Sequence, residues 1–535
     1  MKLSKAWIGT TIFWMIAMIP VIVVLIPNNL VLQDGGLHID SSTALRGLIN
    51  GWFPNLLEWQ SLSPNTTVEA LLALLTSYLS ADVSLRLVAV LGLFGFAWGV
   101  VALMRAIGRP VVVGVVLLPF QMSSIFMLGF VGFVWATDVM LFAIAVVLAN
   151  PTRPPRLLLA TLLTITWLTH LGPAGIGMAS ILSIMVVARI SDGSSILQSL
   201  KYSFRYLIAP FAIPVALTLY WLFSTRGQES ASTSFGPLWT MRILLSAAGA
   251  IVYYSSIEVV VSLLVAMALV AAAVMVIRRR AHRPVAISKY DGLLVSAAVW
   301  ALIAIVAPSK TTLGSGFTNE RLTLFAWVFA GLWLCAESPQ LTGVGHKVWI
   351  SSLTITAAMA AILPISRIPP MLTVSDQLTE INTLAACLPE RSRFLQLNLS
   401  VGEDLSARGM QPMAEQTGTL SRDRESLQMG NEAGWYPFYL WGFKEGLVRA
   451  NEFVPAGSSI DAVPPTFDIS RALDAGLPLD AIVLYGRSRA TAETLSSPET
   501  RATLAELSSR FNLVRVSPSG AAELWMRKGL APSCR

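Results

Sequence analysis

The chain has 535 residues, of which 54 % are hydrophobic and 13 % charged, with a mean hydropathy of +0.64. A soluble domain carries about 25 % charged residues. Half that charge together with long apolar runs excludes a cytosolic enzyme, a secreted disulfide scaffold and a disordered chain, and predicts an integral membrane protein. The net charge of +7 is uneven: residues 1–366 hold 21 Lys/Arg against 12 Asp/Glu, and residues 367–535 hold 17 against 19. The basic excess follows the loops between apolar runs, and no basic stripe with interleaved aromatics occurs, so nucleic acid is excluded as a partner.

The first apolar run, 7–27, is long enough to cross a bilayer and follows Lys2 and Lys5. No small-residue cleavage site follows it, which predicts an uncleaved anchor. Further spans are expected at about 83–104, 110–127, 129–149, 157–171, 172–190, 204–224, 255–277, 291–308, 322–336 and 347–366, which makes eleven crossings. With the N-terminus inside, 15 loop cations face the cytoplasm and 6 the opposite side, the asymmetry expected of inner loops. An odd number of crossings puts the C-terminal tail outside. Two weaker apolar segments, 67–80 and 237–253, read as helices lying at the outer interface.

A membrane domain over 1–366 thus carries a large first outer loop, 28–82, and a domain over 367–535 stands outside the membrane. In that loop, Asp40 and the Ser-Ser-Thr after it resemble a helix N-cap before the apolar run ALRGLI. The tail predicts a small soluble α/β domain. Strands are expected at 393–401, 481–487, 511–518 and 521–528, the last two as a hairpin around Pro518, with helices at 373–387 and 489–510. Cys387 and Cys534 both fall in the tail, where they are either disulfide-bonded or free thiols. Cys335 lies in a span and reads as packing.

Polar residues of the membrane half gather at the outer side: Asp34, His38, Asp40 and Arg46 in the first loop, His170 at the end of the fifth span, and Lys310, Glu320 and Arg321 before the tenth. Asp34 and Asp40 are the candidate acids, able to take a proton from a hydroxyl or to hold a divalent cation such as Mg or Mn against a phosphate. His38 between them can ligate or relay a proton. Arg321 offers a planar fork of donors to a lipid phosphate, and Lys310 adds a point charge. The bland alternatives are a solvated loop for the acids, a local Glu320 pair or headgroup contact for Arg321, and a backbone-bonded histidine at 170. Asp138 sits deep in the fourth span, where an ionisable group marks function by default, and Glu258 is a weaker case of the same kind. Nucleotide-loop, dinucleotide, zinc-protease and serine-elbow motifs are absent, and GSG at 314–316 reads as a turn.

The order of first span, long acidic outer loop (HID, 38–40), many further spans and soluble tail resembles the GT-C class of polytopic glycosyltransferases. The stretches LHIDSSTALRGLINGWFPN, FMLGFVGFVWATDVMLFAIAVVLANPTRPPRLLLATLLTITWLTHLGPAG and NERLTLFAW, with the tail end FNLVRVSPSGAAELWMRK, look like a group of large bacterial membrane proteins of that class. The resemblance implies a polyprenyl-phosphate sugar donor in the membrane lipid, used outside the cytoplasm on a glycan, lipid or protein acceptor. It implies Asp40 as base or metal ligand and Arg321 facing the donor phosphate. Where such enzymes carry adjacent acids, Asp34 here stands six residues from Asp40 and His38 fills the nearer place. A transporter or flippase of lipid-linked sugars, or a non-catalytic envelope assembly protein, accounts for the same spans.

Overall fold

The structure is a computed structural model that describes residues 2–224, 232–233, 236–281, 287–308, 310–311, 316–400, 412–413, 416–431, 434, 439–455, 458, 460, 462–532 and 534. Arg226, His282, Arg283 and most of the GSG turn lie outside the described residues. The chain divides into two compact units: one formed by Met1–Val24 with Ala89–Arg367, the other by Leu25–Val88 with Ile368–Arg535. Residues 28–82, read above as a loop of the membrane half, therefore belong with the tail.

The first unit is helical apart from the paired two-residue strands Ser232–Thr233 and Lys310–Thr311. Ten of the eleven expected spans are α-helices, among them Val131–Ala149, Leu171–Ser191, Ile196–Ser224, Ser256–Ala281 and Thr318–Glu337. Among the described residues, six helical stretches are long and apolar enough to cross a membrane. The exception is 110–127. It forms a 3-10 helix, Val111–Phe120, and after a break the four-residue helix Ser124–Met127. Ten residues of 3-10 helix rise only about 20 Å, short of the roughly 30 Å hydrocarbon core. Its run of β-branched valines and Pro119 disfavours an α-helix. Gly114 lies so close to Val100 that an added Cβ would come within 2.6 Å of it. At the break, Gln121 donates to the carbonyls of Ala17 (3.0 Å) and Leu93 (2.8 Å). The segment is apolar because it is core, not because it meets lipid.

A buried ion pair closes this unit. Arg367 and Glu258 are both fully buried, with Nε 3.1 Å from Oε1 and Nη2 3.2 Å from Oε2. Arg367 also donates to the carbonyls of Met122 and Ile251, and Glu258 accepts the backbone N–H groups of Tyr253 and Tyr254. Glu258, a weak functional candidate by sequence, is thus the partner of an arginine.

The second unit holds a five-stranded sheet in the order 427–428, 393–398, 481–485, 522–527, 511–516. The first two pairings are parallel and the last two antiparallel, the 511–516 and 522–527 strands forming the expected hairpin. Ala481–Tyr485 is buried at every position, as a central strand covered on both faces should be. The first-loop segment shares its core. Ala44, Leu45, Phe53, Leu57 and Ala73 cluster with tail residues including Leu395, Trp441 and Phe443. Leu57–Trp59 pairs antiparallel with Trp441–Phe443. The 67–80 segment is the helix Thr66–Tyr78, whose buried Val68, Leu72 and Ala73 serve this unit. The disulfide Cys387–Cys534 is formed, across 147 residues of sequence.

Candidate functional site

The acidic residues of the first loop lie on the helix Gly35–Asn50. It starts six residues earlier than the expected cap, so Asp40 is inside the helix and caps nothing. Asp34 occupies the N-cap position, without a side-chain cap bond. Gly35 is a poor helix former, but a Cβ there would meet Leu85 at 2.9 Å, so packing requires glycine at the first position.

Helical spacing separates the three candidates. Asp34 and His38 are four residues apart, joined by the bond from the His38 N–H to the Asp34 carbonyl (3.1 Å), and share one face on which both are half-buried. Asp40 is turned about 200° from His38 and is buried. Its carboxylate accepts hydrogen bonds from Ser421 and from Thr417 (3.2 Å), both of the tail. The tail helix Gly418–Arg424 approaches closely because Gly418 has no side chain: a Cβ would stand 2.7 Å from that of Ile39 and 2.9 Å from the Gly36 carbonyl. Burial pushes the Asp40 carboxyl up to about 7, against the lowering effect of the Ser421 and Thr417 hydroxyls. Glu69 behaves alike: it is buried, accepts the Leu440 N–H at 3.2 Å, and is pushed up to about 8 by burial. Arg46 donates to the Thr76 carbonyl (3.1 Å) and lies over the Trp52 ring at 5.2 Å, so it braces this unit internally.

Among the described residues, no group of three or more His, Cys, Asp or Glu side chains is gathered so as to hold a metal ion. Asp40 gives both oxygens to hydroxyls, and Asp34 is a turn and a half away along the helix. This donor set does not fit a divalent cation.

The other candidates belong to the first unit. Arg321 lies in the first turn of Thr318–Glu337 and is 9 % exposed. Its guanidinium stacks over Phe130 at 4.1 Å and Phe133 at 5.2 Å from the ring centroids. His170 meets the same Phe133 edge-on, centroids 5.3 Å apart. Its Nδ1 accepts the Gly172 N–H at 3.0 Å, which caps the helix Leu171–Ser191 and leaves the proton of the neutral ring on Nε2. Phe133 therefore unites Arg321 and His170. Phe317, which precedes the Arg321 helix, has φ +57° and packs on Phe130 at 5.9 Å, a left-handed conformation uncommon for an aromatic residue. Glu320 is buried beside Arg321 in sequence. Lys310 lies in the short strand Lys310–Thr311, its side chain outside the described set. Asp138 is buried with Oδ1 lacking a hydrogen-bond partner among the described residues, and its carboxylate fills the space over Gly95.

Sequence reasoning missed Phe130 and Phe133, although their spacing of three before a span is the helical signal of a shared face. It also missed Ser421, Thr417 and Glu69, for which no local signal exists.

No family model matches the chain, and no curated protein matches it by sequence. In structure it is similar to the apo state of ArnT from Cupriavidus metallidurans, with a TM-score of 0.53 and 14 % identity over 98 % of each chain. That likeness, with the six long apolar stretches and the strand-bearing C-terminal region, establishes a polytopic membrane fold of the GT-C-like kind.

Proposed function

We propose that this chain is a membrane glycosyltransferase of the GT-C type that moves a sugar from a polyprenyl-phosphate donor to an envelope acceptor on the non-cytoplasmic face. The observation that carries the reading is the likeness to ArnT, which extends over 98 % of both chains and so takes in the soluble part as well as the helices. The loop charges support the assignment of faces.

Arg321 binds the donor phosphate. Phe130 and Phe133 hold its guanidinium flat, which preserves the planar fork that suits phosphate oxygens. His170 Nε2–H adds a neutral donor on the same aromatic support. The acceptor hydroxyl loses its proton to the Asp34 carboxylate, with His38 on the same helix face as relay. The acceptor oxygen attacks the anomeric carbon in line, the bond from that carbon to the phosphate oxygen breaks, and polyprenyl phosphate leaves with both electrons. Asp40 is a positioning residue: its hydroxyl partners in the tail fix the helix that carries Asp34 and His38.

The test is transfer from radiolabelled polyprenyl-phosphate sugars in membranes. Asp34→Asn abolishes transfer while the protein still inserts, and Asp40→Asn retains most of it, since asparagine can keep both hydroxyl contacts. Loss in Asp40→Asn with full turnover in Asp34→Asn moves the base to Asp40. Asp138, a buried carboxyl in a span with one oxygen lacking a partner among the described residues, favours transport of the lipid-linked sugar as a second reading. Lipid movement lost in Asp138→Asn, with no transfer from any donor, selects that reading.

A further inference from the structure

The break between the 3-10 helix Val111–Phe120 and the helix Ser124–Met127 borders a small cavity. Irregular backbone at membrane depth persists only where it is packed in protein or lines a cavity, since lipid satisfies none of its polar groups. The cavity is about 10 Å³, room for one water-sized particle, and Gln121, Ser123, Thr137 and Asp138 line it among apolar side chains such as Phe96 and Phe133. The four polar residues are buried, and all belong to the first unit.

These side chains bring oxygen acceptors. Gln121 spends its amide nitrogen on the carbonyls of Ala17 and Leu93, which leaves Oε1 buried without a hydrogen-bond partner among the described residues. Asp138 Oδ1 is in the same state. Thr137 donates its hydroxyl hydrogen to the Phe133 carbonyl (2.8 Å), so toward a ligand it can only accept. Ser123 Oγ accepts the Phe126 N–H (3.2 Å) and keeps a second lone pair. The 3-10 helix ends at Phe120, so its carbonyl end, the negative one, also adjoins the cavity. No Lys or Arg lines the cavity, and Asp138 forms no ion pair among the described residues. Arg367, which donates to the neighbouring Met122 carbonyl, is already matched by Glu258. Gly95 makes room for the carboxylate: an added Cβ would stand 2.5 Å from Asp138 Oδ2.

We propose that this cavity binds one sodium ion, held by the Asp138 carboxylate together with the oxygens of Gln121, Thr137 and Ser123. Hard cations take oxygen ligands, and the carbonyl ends of broken helices at membrane depth are places where such ions are held. Charge and space decide between occupants. Water would satisfy the two oxygens but leave the carboxylate without a counter-charge. A proton would neutralise Asp138 without needing the cavity, and a divalent ion would leave a positive charge buried. One monovalent cation answers the charge, the oxygens and the space together. The proposal does not rest on the glycosyltransferase reading, because its readout is ion binding and not transfer.

The test uses the full chain in detergent with radioactive sodium as the probe, read by equilibrium binding. The expected result is saturable binding of one ion per chain, displaced by unlabelled sodium chloride and not by choline chloride at equal ionic strength. Sodium chloride in place of choline chloride also raises the melting temperature by about 2 °C. Asp138→Asn, which keeps the shape and removes the charge, loses both effects. Should that variant not fold, Thr137→Val, which removes one ligand oxygen, weakens sodium binding severalfold. Absence of saturable binding in the unaltered chain overturns the proposal and identifies a proton or water as the occupant. So does binding that survives Asp138→Asn unchanged, which places the ion elsewhere.

Discussion

The guanidinium of Arg321 lies 4.1 Å from the centre of the Phe130 ring, and the arginine is 91 % shielded from solvent. A cation on an aromatic face gains about 2 kcal/mol when desolvated, and the ring also fixes the plane of the fork. Phe130→Leu should therefore weaken donor binding, raising KM for a polyprenyl-phosphate sugar by roughly tenfold with little change in kcat. Arg321→Lys keeps the charge but not the fork and should lose most of the transfer. Equal KM in the Phe130→Leu and unaltered proteins would show that the stacking plays no part in donor binding.

Asp40 and Glu69 make stability depend on pH. Their folded values of about 7 and about 8 lie above the ordinary 3.8 and 4.5, so the folded chain holds these protons more tightly than the unfolded chain does. The stability they contribute is complete below pH about 4 and is lost as pH rises through about 7 and about 8. The gap at Asp40 alone corresponds to on the order of 4 kcal/mol. Thermal melts of the full-length protein between about pH 5 and 8.5 should fall with pH, and Asp40→Asn and Glu69→Gln should each flatten the curve. Unchanged slopes in both variants would mean that the two carboxyls are hydrated.

What the sequence reveals depends on the distance over which each feature is written. The tail strands are legible because each is a short run of β-forming residues, and their hairpin is local. The spans are legible because apolar length is local too. The failure at 110–127 has a local cause that length overrides: valines and Pro119 oppose an α-helix in a run that composition alone assigns to lipid. The union of the first loop with the tail is written nowhere locally. Asp40 meets Ser421 across 381 residues, and the strands that join the two segments are three residues each. The Asp40 cap fails for a related reason: packing of Gly35 on Leu85 starts the helix earlier than its glycines favour. Arg321 and His170 were visible as residue types, while Phe133, which unites them, reads in sequence as one more apolar residue of a span.

Gly418 sets how closely the tail helix approaches the helix of Asp34 and His38. Gly418→Val places a branched side chain where a Cβ already stands 2.7 Å from Ile39 and 2.9 Å from a backbone carbonyl. Overpacking of this kind costs about 1–3 kcal/mol. Forcing the helices apart should hydrate Asp40, whose carboxyl burial alone holds up, so the pH dependence of stability should flatten as in Asp40→Asn. A Gly418→Val protein that melts and titrates like the unaltered one would show that the two helices separate without consequence.

The Cys387–Cys534 bond closes a loop over most of the tail. By loop-closure entropy a cross-link of this span stabilises by about 5 kcal/mol. Reduction, or Cys534→Ser, should lower the melting temperature of the full chain, and reduction should have no further effect on the Cys534→Ser protein. Alkylation of all three cysteines, instead of Cys335 alone, in the unreduced, denatured protein would show that the bond does not form.

Arg367 and Glu258 give a sharper test, because each also serves the backbone. Removing one partner of a buried pair costs about 3–5 kcal/mol, so Arg367→Leu and Glu258→Leu should each impair expression and lower the melting temperature. Pairs held only by each other are often restored when both are replaced by apolar residues. Here the double variant also strands the carbonyls of Met122 and Ile251 and the N–H groups of Tyr253 and Tyr254. Each buried group left without a partner costs about 1–3 kcal/mol. Arg367→Leu with Glu258→Leu should therefore stay far below the unaltered protein in thermal stability. Recovery to the unaltered melting temperature would show that water or a neighbouring group satisfies those four atoms, and that the pair contributes only its mutual charge.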